Sequence, residues 1–325
     1  MQKQKCSLDL YSRFLIASQN RYTATELSRV APEENVHHDA ITNWLASARF
    51  DPKEIWNQVK DLVEPSHGYL VVDDTVLDKR YSETNDLIKL QYSGNEHGLI
   101  KGIGVVNLLW TDHEKFIPVD YRQYHPKIDE KDKNDLFQEM VKKAVKRGFS
   151  PHAVLFDSWY ASVKNIKFIR GLEWRFICNL KSNRLVSEQK GTYVPIQDLN
   201  LANKQVRQVW LKEFGTILVC KLVARNGDIT YLATNDLSLT KYDEFTRHFA
   251  HRWKIETFHR GLKQTTGIEK CQATTISSQK THIFAAFVAF MKLERTRLKD
   301  QTSWYEQKAQ IHRMTVASYL YCSNP

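Results

Sequence analysis

The pattern of hydrophobic and polar positions divides the chain into a helical beginning, a strand-rich middle and a helical end. Residues 1–65 carry apolar side chains at helical spacing, with almost no strand-like run. Tyr69–Val72 and Ala153–Phe156 are short, continuous apolar runs, which are typical of strands buried on both faces. A helical apolar stripe over Lys133–Arg147 lies between them. The pattern therefore predicts an α/β fold, a mixed sheet flanked by helices. Two further strands are expected at Ile103–Trp110 and Ile117–Tyr121.

From about residue 175 to 235 the pattern favours strands almost exclusively. Strands are predicted at Val206–Leu211, Thr216–Arg225 and Ile229–Ala233. The dipeptide Asn226-Gly227 separates the last two and favours a tight type I′ hairpin, because both central residues of that turn need positive φ. We interpret this region as a β-stranded insertion. Helix returns at Tyr242 and continues to about Leu298.

Five segments follow from this pattern. They are a helical N-terminal region at 1–65, the first part of a core at 66–174, a β-rich insertion at 175–238, the second part of the core at 239–300 and a C-terminal helical tail at 301–325. In the first segment, Thr25–Val30 and His37–Ala48, joined at Pro32–Asn35, have the size of a helix-turn-helix, whose second helix enters a major groove. A plain helical hairpin is the more frequent alternative.

Composition changes this picture in two ways. Lys and Arg (47) exceed Asp and Glu (37), giving a net charge of +10, which is compatible with a phosphate-rich partner although many basic proteins bind no nucleic acid. The five scattered cysteines form no CxxC pair, which argues against a zinc ribbon and a secreted disulfide framework. The N-terminus has no signal-peptide pattern, and Ile283–Met291 is too short to span a bilayer. We expect a cytoplasmic protein without a membrane segment.

Three carboxylates are candidates for chemistry. Asp74 and Asp157 each follow a predicted buried strand, and ligands of α/β sheets gather at such strand ends. Glu256 lies on a predicted helix, on the same face as Arg252 and Lys263. Carboxylates are the oxygen ligands that Mg²⁺ prefers, and two ions roughly 4 Å apart can drive phosphoryl transfer. The two cations would then contact a DNA backbone.

The same residues have plainer interpretations. An Asp after a strand often caps a turn, and a Glu between basic residues on a helix often belongs to a solvated ion-pair face. From the residues alone, a metal-dependent phosphoryl-transfer enzyme and a set of structural polar groups both stay open.

Six ordered motifs add a resemblance. They are VVDDTVLDK (Val71–Lys79), QYSG with KGIG (Gln91–Gly104), IPVDYR (Ile117–Arg122), VLFDSWYAS (Val154–Ser162), LKSNR (Leu180–Arg184) and HRWKIETFHRGLK (His251–Lys263). In these the chain resembles the bacterial DDE transposases of the insertion-sequence-701 type, relatives of the insertion-sequence-4 group. The resemblance extends from about Tyr69 to Arg297 and implies an RNase H-like catalytic core interrupted by a β-stranded insertion.

The resemblance also implies roles for single residues. The first catalytic Asp precedes Thr in the DDT motif and corresponds to Asp74, which makes Asp73 a neighbour whose side chain points elsewhere. Asp157 and Glu256 correspond to the other two catalytic acids, and all three would bind two Mg²⁺ or Mn²⁺ ions. Of the Tyr-Arg-Glu-Lys signature, the Arg and the Lys correspond to Arg252 and Lys263. Phe249 replaces the Tyr and loses its hydroxyl, and with it one phosphate contact.

Aromatic residues complete the expected DNA contacts. Trp253 corresponds to a Trp that stacks near an extruded base in relatives, with core packing as the alternative. Trp210, in the insertion, is a weaker candidate for a second stacking surface.

The function implied is DNA cleavage at insertion-sequence ends followed by strand transfer of a 3′-hydroxyl into target DNA. The partners implied are double-stranded DNA, as terminal inverted repeats and target, and a second copy in a homodimer on DNA, at the bacterial nucleoid. The N-terminal helices would recognise the inverted repeat. The alternatives are an RNase H-like nuclease without transposition and a non-catalytic DNA-binding protein derived from a transposase.

Overall fold

The computed structural model describes residues 6–31, 36–82, 87–93, 98–125, 130–189 and 191–322. The helices are α1 (Leu8–Ala17), α2 (Ala24–Val30), α3 (His38–Ser47), α4 (Lys133–Lys146), α5 (Val163–Gly171), α6 (Tyr242–Ala250), α7 (Trp253–Thr266), α8 (Ile276–Asp300) and α9 (Trp304–Cys322), with short 3-10 segments at Pro52–Gln58, Lys60–Leu62 and Ile196–Asp198. The strands are β1 (Tyr69–Asp78), β2 (Lys89–Ser93), β3 (Gly98–Thr111), β4 (Ile117–Tyr124), β5 (Ala153–Phe156), β6 (Phe176–Leu180), β7 (Leu185–Ser187), β8 (Val194–Pro195), β9 (Val206–Leu211), β10 (Gly215–Val223) and β11 (Ile229–Thr234).

The described strands form one mixed sheet in the order β2-β3-β1-β5-β6-β11-β10-β9-β7-β8, with β4 also paired to β3. Its centre is parallel, since β5 lies between β1 and β6 and runs in the same direction as both. The strands predicted for the insertion are present. They extend the core sheet, because β11 pairs antiparallel with β6. The mixed α/β architecture is confirmed.

The connection between β10 and β11 differs from the predicted tight hairpin. It is a five-residue loop, residues 224–228, in which Gly227 has φ 89° and Asn226 has no positive φ. The Gly227 N–H donates to the Ala224 carbonyl, and the Asn226 side chain accepts from the Asp228 N–H. A type I′ turn needs positive φ at both central residues, so these local bonds select a wider loop.

The N-terminal helices are part of the core. Both α1 and α3 pack against α8, and the Tyr11 hydroxyl lies 2.9 Å from Nδ1 of His282 on that helix. The Phe50 ring stacks on Phe284 with 4.6 Å between centroids. The turn at Pro32–Asn35 lies outside the described residues. Recognition of DNA by the N-terminal region stays a prediction, but deleting residues 1–65 would expose an apolar face of α8.

Helix α8 is the central element of the helical layer. It buries 15 of its 25 residues, including the whole of Ile283–Met291, which confirms the predicted core helix. Because both α1 and α7 also contact it, α8 connects the N-terminal helices to the helix that carries Glu256. None of the described helices combines the length and apolarity needed to cross a membrane.

A fully buried carboxylate fastens the C-terminal helix to this layer. Glu294 on α8 accepts hydrogen bonds from the Phe116 backbone N–H at 2.9 Å, the Arg297 Nε at 2.7 Å and the Trp304 Nε1 at 2.7 Å. Three donors from three segments therefore converge on one side chain, and each loses its partner if the carboxylate is removed.

We expect Glu294→Ala to lower the free energy of unfolding by about 3 kcal/mol, because it leaves the Phe116 N–H and the Trp304 Nε1 without an acceptor and removes the ion pair of the partly buried Arg297. Chemical denaturation followed by circular dichroism measures the change. Glu306→Ala is the matched control, since that carboxylate pairs with Arg313 at the surface and its loss should cause no measurable shift. Equal effects of the two substitutions would contradict a structural role for Glu294.

Candidate functional site

The pairing of two parallel strands brings two acids side by side. Val72 on β1 lies opposite Phe156 on β5, and the next residue along each strand is Asp73 and Asp157. Side chains alternate between the two faces of a strand, so Asp73 and Asp74 point to opposite faces of the sheet. The register therefore continues from the Val72–Phe156 pair to Asp73 and Asp157.

Asp73 faces the helix that carries Glu256. Its Oδ2 lies 3.9 Å from Nη1 of Arg252, whose Nη2 donates to the Glu256 Oε1 at 2.8 Å. Asn107, opposite Asp73 on β3, donates from Nδ2 to Nε2 of His259 on α7 at 2.9 Å. Asp73 rather than Asp74 therefore faces Arg252 and Glu256, and the choice of Asp74 as the first catalytic acid stays a prediction.

Asp74 lies on the other face, towards α4. Its Oδ2 accepts from the Lys133 Nζ at 2.7 Å and its Oδ1 from the Tyr160 hydroxyl at 2.8 Å. Asp157 interacts electrostatically with both Asp73 and Asp74, and its Oδ1 accepts the backbone N–H of Trp159 at 2.9 Å. The segment after β5 therefore contacts both Asp74 and Asp157.

The electrostatics of these acids follow from burial and crowding. Burial, followed by the charges of Asp157 and Asp74, raises the pKa of Asp73 well above its ordinary value, and Arg252 only partly opposes this. Burial also raises the pKa of Asp157, and the charge of Asp74 adds to this, against the backbone N–H bonds of Tyr160 and Trp159 and the charge of Arg252. The charged forms of both acids are therefore disfavoured in the protein as it stands.

His259 does not compensate for this charge. Burial, with Lys263 adding to it, lowers the pKa of His259 to about 3, so the ring is neutral and its Nε2 accepts from Asn107. The Arg252 Nε and the Asn107 Oδ1 are buried without a hydrogen-bond partner in the described structure. These unsatisfied atoms lie on the same face as Asp73 and Glu256.

The donor set suits a hard divalent cation. Carboxylate oxygens are the ligands that Mg²⁺ and Mn²⁺ prefer, and a cation would relieve the repulsion between Asp73 and Asp157. Within the described ranges, however, no three His, Cys, Asp or Glu side chains lie close enough together to hold an ion as they stand. Glu256 is paired with Arg252, so its side chain has to turn towards the aspartates before it can bind the same metal ion.

Of the residues predicted to contact DNA, some line one cavity and others lie outside it. Trp253 is 57% exposed, and the Arg252 guanidinium lies 4.5 Å from its ring centroid. Both residues line a cavity of about 420 Å³, together with the buried Phe249. Lys263 instead pairs with Glu269 at 2.8 Å and donates to the Val76 carbonyl at 2.7 Å. Trp210 lies on β9, outside this cavity.

Sequence reasoning missed several residues of the site: Asp73, Asn107, Lys133, Trp159 and Tyr160. Trp159 and Tyr160 stand inside the quoted VLFDSWYAS motif, so their proximity to Asp157 was a usable signal. Asn107 and Lys133 reach the site only through long-range packing, which no local pattern shows.

Comparison with known proteins identifies the family. Residues 1–198 match the family model of the DDE superfamily endonucleases. The chain belongs to the DDE superfamily of endonucleases. Residues 120–299 also match the model of an archaeal transposase family, ISC1217. The protein is therefore a DDE enzyme of the transposase type, and such enzymes depend on divalent metal ions. No curated protein matches the chain significantly.

One solved structure shares the fold of this DDE enzyme. The piggyBac transposase synaptic complex with hairpin DNA matches with a TM-score of 0.56 at 10% identity, over 94% of this chain and 68% of that one. This likeness shows the RNase H-like fold. The Mos1 strand transfer complex (TM-score 0.21, 15% identity, 54% of this chain) and the Drosophila P element transposase strand transfer complex (TM-score 0.29, 9% identity, 90% of this chain) match more weakly. The chain covers 59% and 65% of those two proteins.

We expect Asp73→Asn to raise the melting temperature of the metal-free protein. A carboxyl whose pKa is raised in the folded state stabilises the fold at low pH and loses that contribution as pH rises through its folded pKa. The gain in the variant should therefore grow from pH 5 to pH 8, as scanning fluorimetry in EDTA would show.

Asp74→Asn is the control for this prediction. It removes the ion pair with Lys133, whose side chain is only 15% exposed, so it should lower the melting temperature. A gain from Asp73→Asn that shrinks towards pH 8, or a loss there, would contradict the description of the cluster.

Proposed function

We propose that the protein is a transposase that cuts DNA at the ends of a mobile element and joins the freed 3′-hydroxyl to target DNA. The observation that carries the proposal is the register of β1 and β5, which brings Asp73 beside Asp157 on the face where Arg252 holds Glu256. The match to a transposase family supports the reaction class.

The metal ligands of the proposal are Asp157, Glu256 and one member of the Asp73–Asp74 pair. The resemblance favours Asp74, whereas the contacts favour Asp73. Asp74 is paired with a lysine and a hydroxyl, whereas Asp73 accepts the Asp74 backbone N–H at 2.8 Å and lies near Asp157, with the Arg252 guanidinium 3.9 Å away. We therefore propose Asp73 as the first ligand and Asp74 as a residue that positions β1 against α4.

The cofactor of the proposal is a pair of Mg²⁺ or Mn²⁺ ions. Bound there, they would activate an attacking oxygen and stabilise a leaving oxygen of the phosphodiester. The protein groups would do the rest. Arg252 would bind a phosphate by two N–H groups, and Trp253 would stack on an extruded base beside the 420 Å³ cavity. Phe249 would pack against Arg252 and Trp253, because it is buried in the wall of the same cavity.

We propose only conditional DNA contacts for Lys263 and Trp210. A phosphate contact by Lys263 requires its ion pair with Glu269 to open, and the DNA would supply a competing anion. Trp210 would meet DNA only if the duplex extended along the outer strands of the sheet. Both DNA contacts stay predictions.

The finer classification is part of the same proposal. Six motifs in order support the insertion-sequence-701 type, with terminal inverted repeats as the recognised DNA. Cutting two ends at once requires two active sites, which supports a homodimer assembled on DNA. The net charge of +10 favours such a polyanionic partner.

A stand-alone nuclease sharing the core is the second candidate. A strand-transfer assay with a labelled 3′-hydroxyl end separates the two, because only a transposase joins the label to a second DNA molecule. Cleavage without any joined product would favour the nuclease. The non-catalytic alternative is disfavoured by the presence of every motif carboxylate.

We expect Asp73→Asn, Asp157→Asn and Glu256→Gln to reduce cleavage and strand transfer to background, while binding to the DNA ends survives. Each change is nearly isosteric and removes a charged oxygen ligand. Asp74→Asn should keep measurable activity, since that carboxylate pairs with Lys133.

Gel-based cleavage and joining assays with Mn²⁺ and Mg²⁺ give the activities, and Fe²⁺-generated hydroxyl-radical cleavage of the polypeptide gives metal binding independently. Full activity of Asp73→Asn together with an inactive Asp74→Asn would show that Asp74, not Asp73, is the first metal ligand. Strand transfer by Asp157→Asn or Glu256→Gln would refute the proposed site.

A further inference from the structure

An exposed tryptophan stands beside the acidic cluster in a place that the proposed catalytic groups do not use. Trp159 is 57% exposed, although a ring of this size is usually largely buried. Its backbone N–H donates to the Asp157 Oδ1 at 2.9 Å, which fixes the residue next to that acid. The following residue, Tyr160, is fully buried and anchors the segment through its bond to Asp74. The exposed ring is thus carried on a firmly held backbone.

Two lysines flank this ring. The Lys181 Nζ lies 5.5 Å and the Lys133 Nζ 5.9 Å from the Trp159 ring centroid, both within the range of cation–π attraction. Lys133 is also paired with Asp74, whereas Lys181 is exposed. A base stacked on the ring would therefore have an ammonium group available for its phosphate.

The positive charge continues beyond Lys181. A cavity of about 450 Å³ is lined by Lys181, Arg184 and Lys212, with Glu213 as the one acid among its lining residues. Arg184 donates to the Ala161 carbonyl, which holds its guanidinium in place. Three cations against one anion make this a surface for a polyanion.

We propose that Trp159, Lys181 and Lys212 form a track for a single-stranded segment of DNA that continues from the metal site. An unpaired base would stack on Trp159, and the following phosphates would meet Lys181 and Lys212. Stacking on an exposed ring requires an unpaired base, and the adjoining cations require phosphates, so the two features together select single-stranded nucleic acid. The inference rests on the proposed function.

This track is separate from the expected base site at Trp253. The cavity beside Trp253 and the cavity beside Lys181 share no lining residue. Trp159 follows β5, whereas Trp253 begins α7. The protein would therefore hold DNA on two sides of the acidic cluster, with Asp157 next to the second track.

The test uses the full-length protein, metal-free, and two DNA probes with one duplex sequence, one blunt and one with a single-stranded 3′ tail carrying 2-aminopurine. We expect Trp159→Ala to weaken binding of the tailed probe by about tenfold, as loss of one stacked base would, and to leave the blunt probe unchanged. Trp159→Phe should retain most of the affinity and of the 2-aminopurine quenching. Thermal melting checks that both variants fold.

The lysines are tested by salt dependence. Lys181→Ala and Lys212→Ala should each lower the slope of log affinity against log salt for the tailed probe by roughly 0.7, the single-strand value for one phosphate contact. Lys299→Ala, an exposed lysine in the last turn of α8, is the matched charge control and should leave the slope unchanged.

Three results would overturn the track: tailed-probe affinity of Trp159→Ala equal to that of the wild type, equal losses for tailed and blunt probes, or full displacement of the tail by an acidic peptide at matched charge. Any of these with strand transfer by the wild type intact would leave the proposed function standing. Failure of the wild type to join DNA at all would instead count against the proposed function, whatever the binding results.

Discussion

The parallel register of β1 and β5 is the constraint on which the acidic cluster depends. It brings Asp73 beside Asp157 at the point where β5 ends, and the alternation of side chains then sends Asp74 to the opposite face. Burial of two neighbouring carboxylates is unfavourable, and Arg252 offsets it only in part. Such stored repulsion is typical of a site that gains its balance from a bound cation. The fold therefore tolerates a local loss of stability at the acidic cluster that we propose as the catalytic site.

The rest of the molecule holds this cluster in place. Helix α7 carries Glu256 and packs on α8, whose own partners include the N-terminal helices α1 and α3. Glu294 joins α8 to the start of α9 and to the residue before β4. On the other face, Lys133 and Tyr160 hold Asp74. Residues on both faces of β1 are thus held by neighbouring side chains. The Glu256 side chain is 39% exposed and pairs with Arg252, so it is the acid that has to turn towards the aspartates to bind a shared metal ion.

Local patterns were sufficient for much of the fold. The strands Ala153–Phe156 and Val206–Leu211 have the predicted bounds, and the apolar run Ile283–Met291 is a core helix as expected. What local patterns do not show depends on partners distant in sequence. The proximity of Asp73 and Asp157 follows from the pairing of β1 with β5, which are about 84 residues apart in the chain. Lys263 binds Glu269 and the Val76 carbonyl, and helical periodicity does not reveal either partner. The pattern of the N-terminal region likewise does not show that its apolar faces meet α8.

The measurement that most directly tests the central claim is anomalous diffraction from crystals of the wild-type protein soaked with Mn²⁺. We expect a peak at roughly 2.0–2.6 Å from carboxylate oxygens of both Asp73 and Asp157, with Glu256 released from Arg252 and turned towards it. A peak at Asp74 that leaves Asp73 unligated, or manganese bound only away from Asp157 and Glu256, would contradict the account.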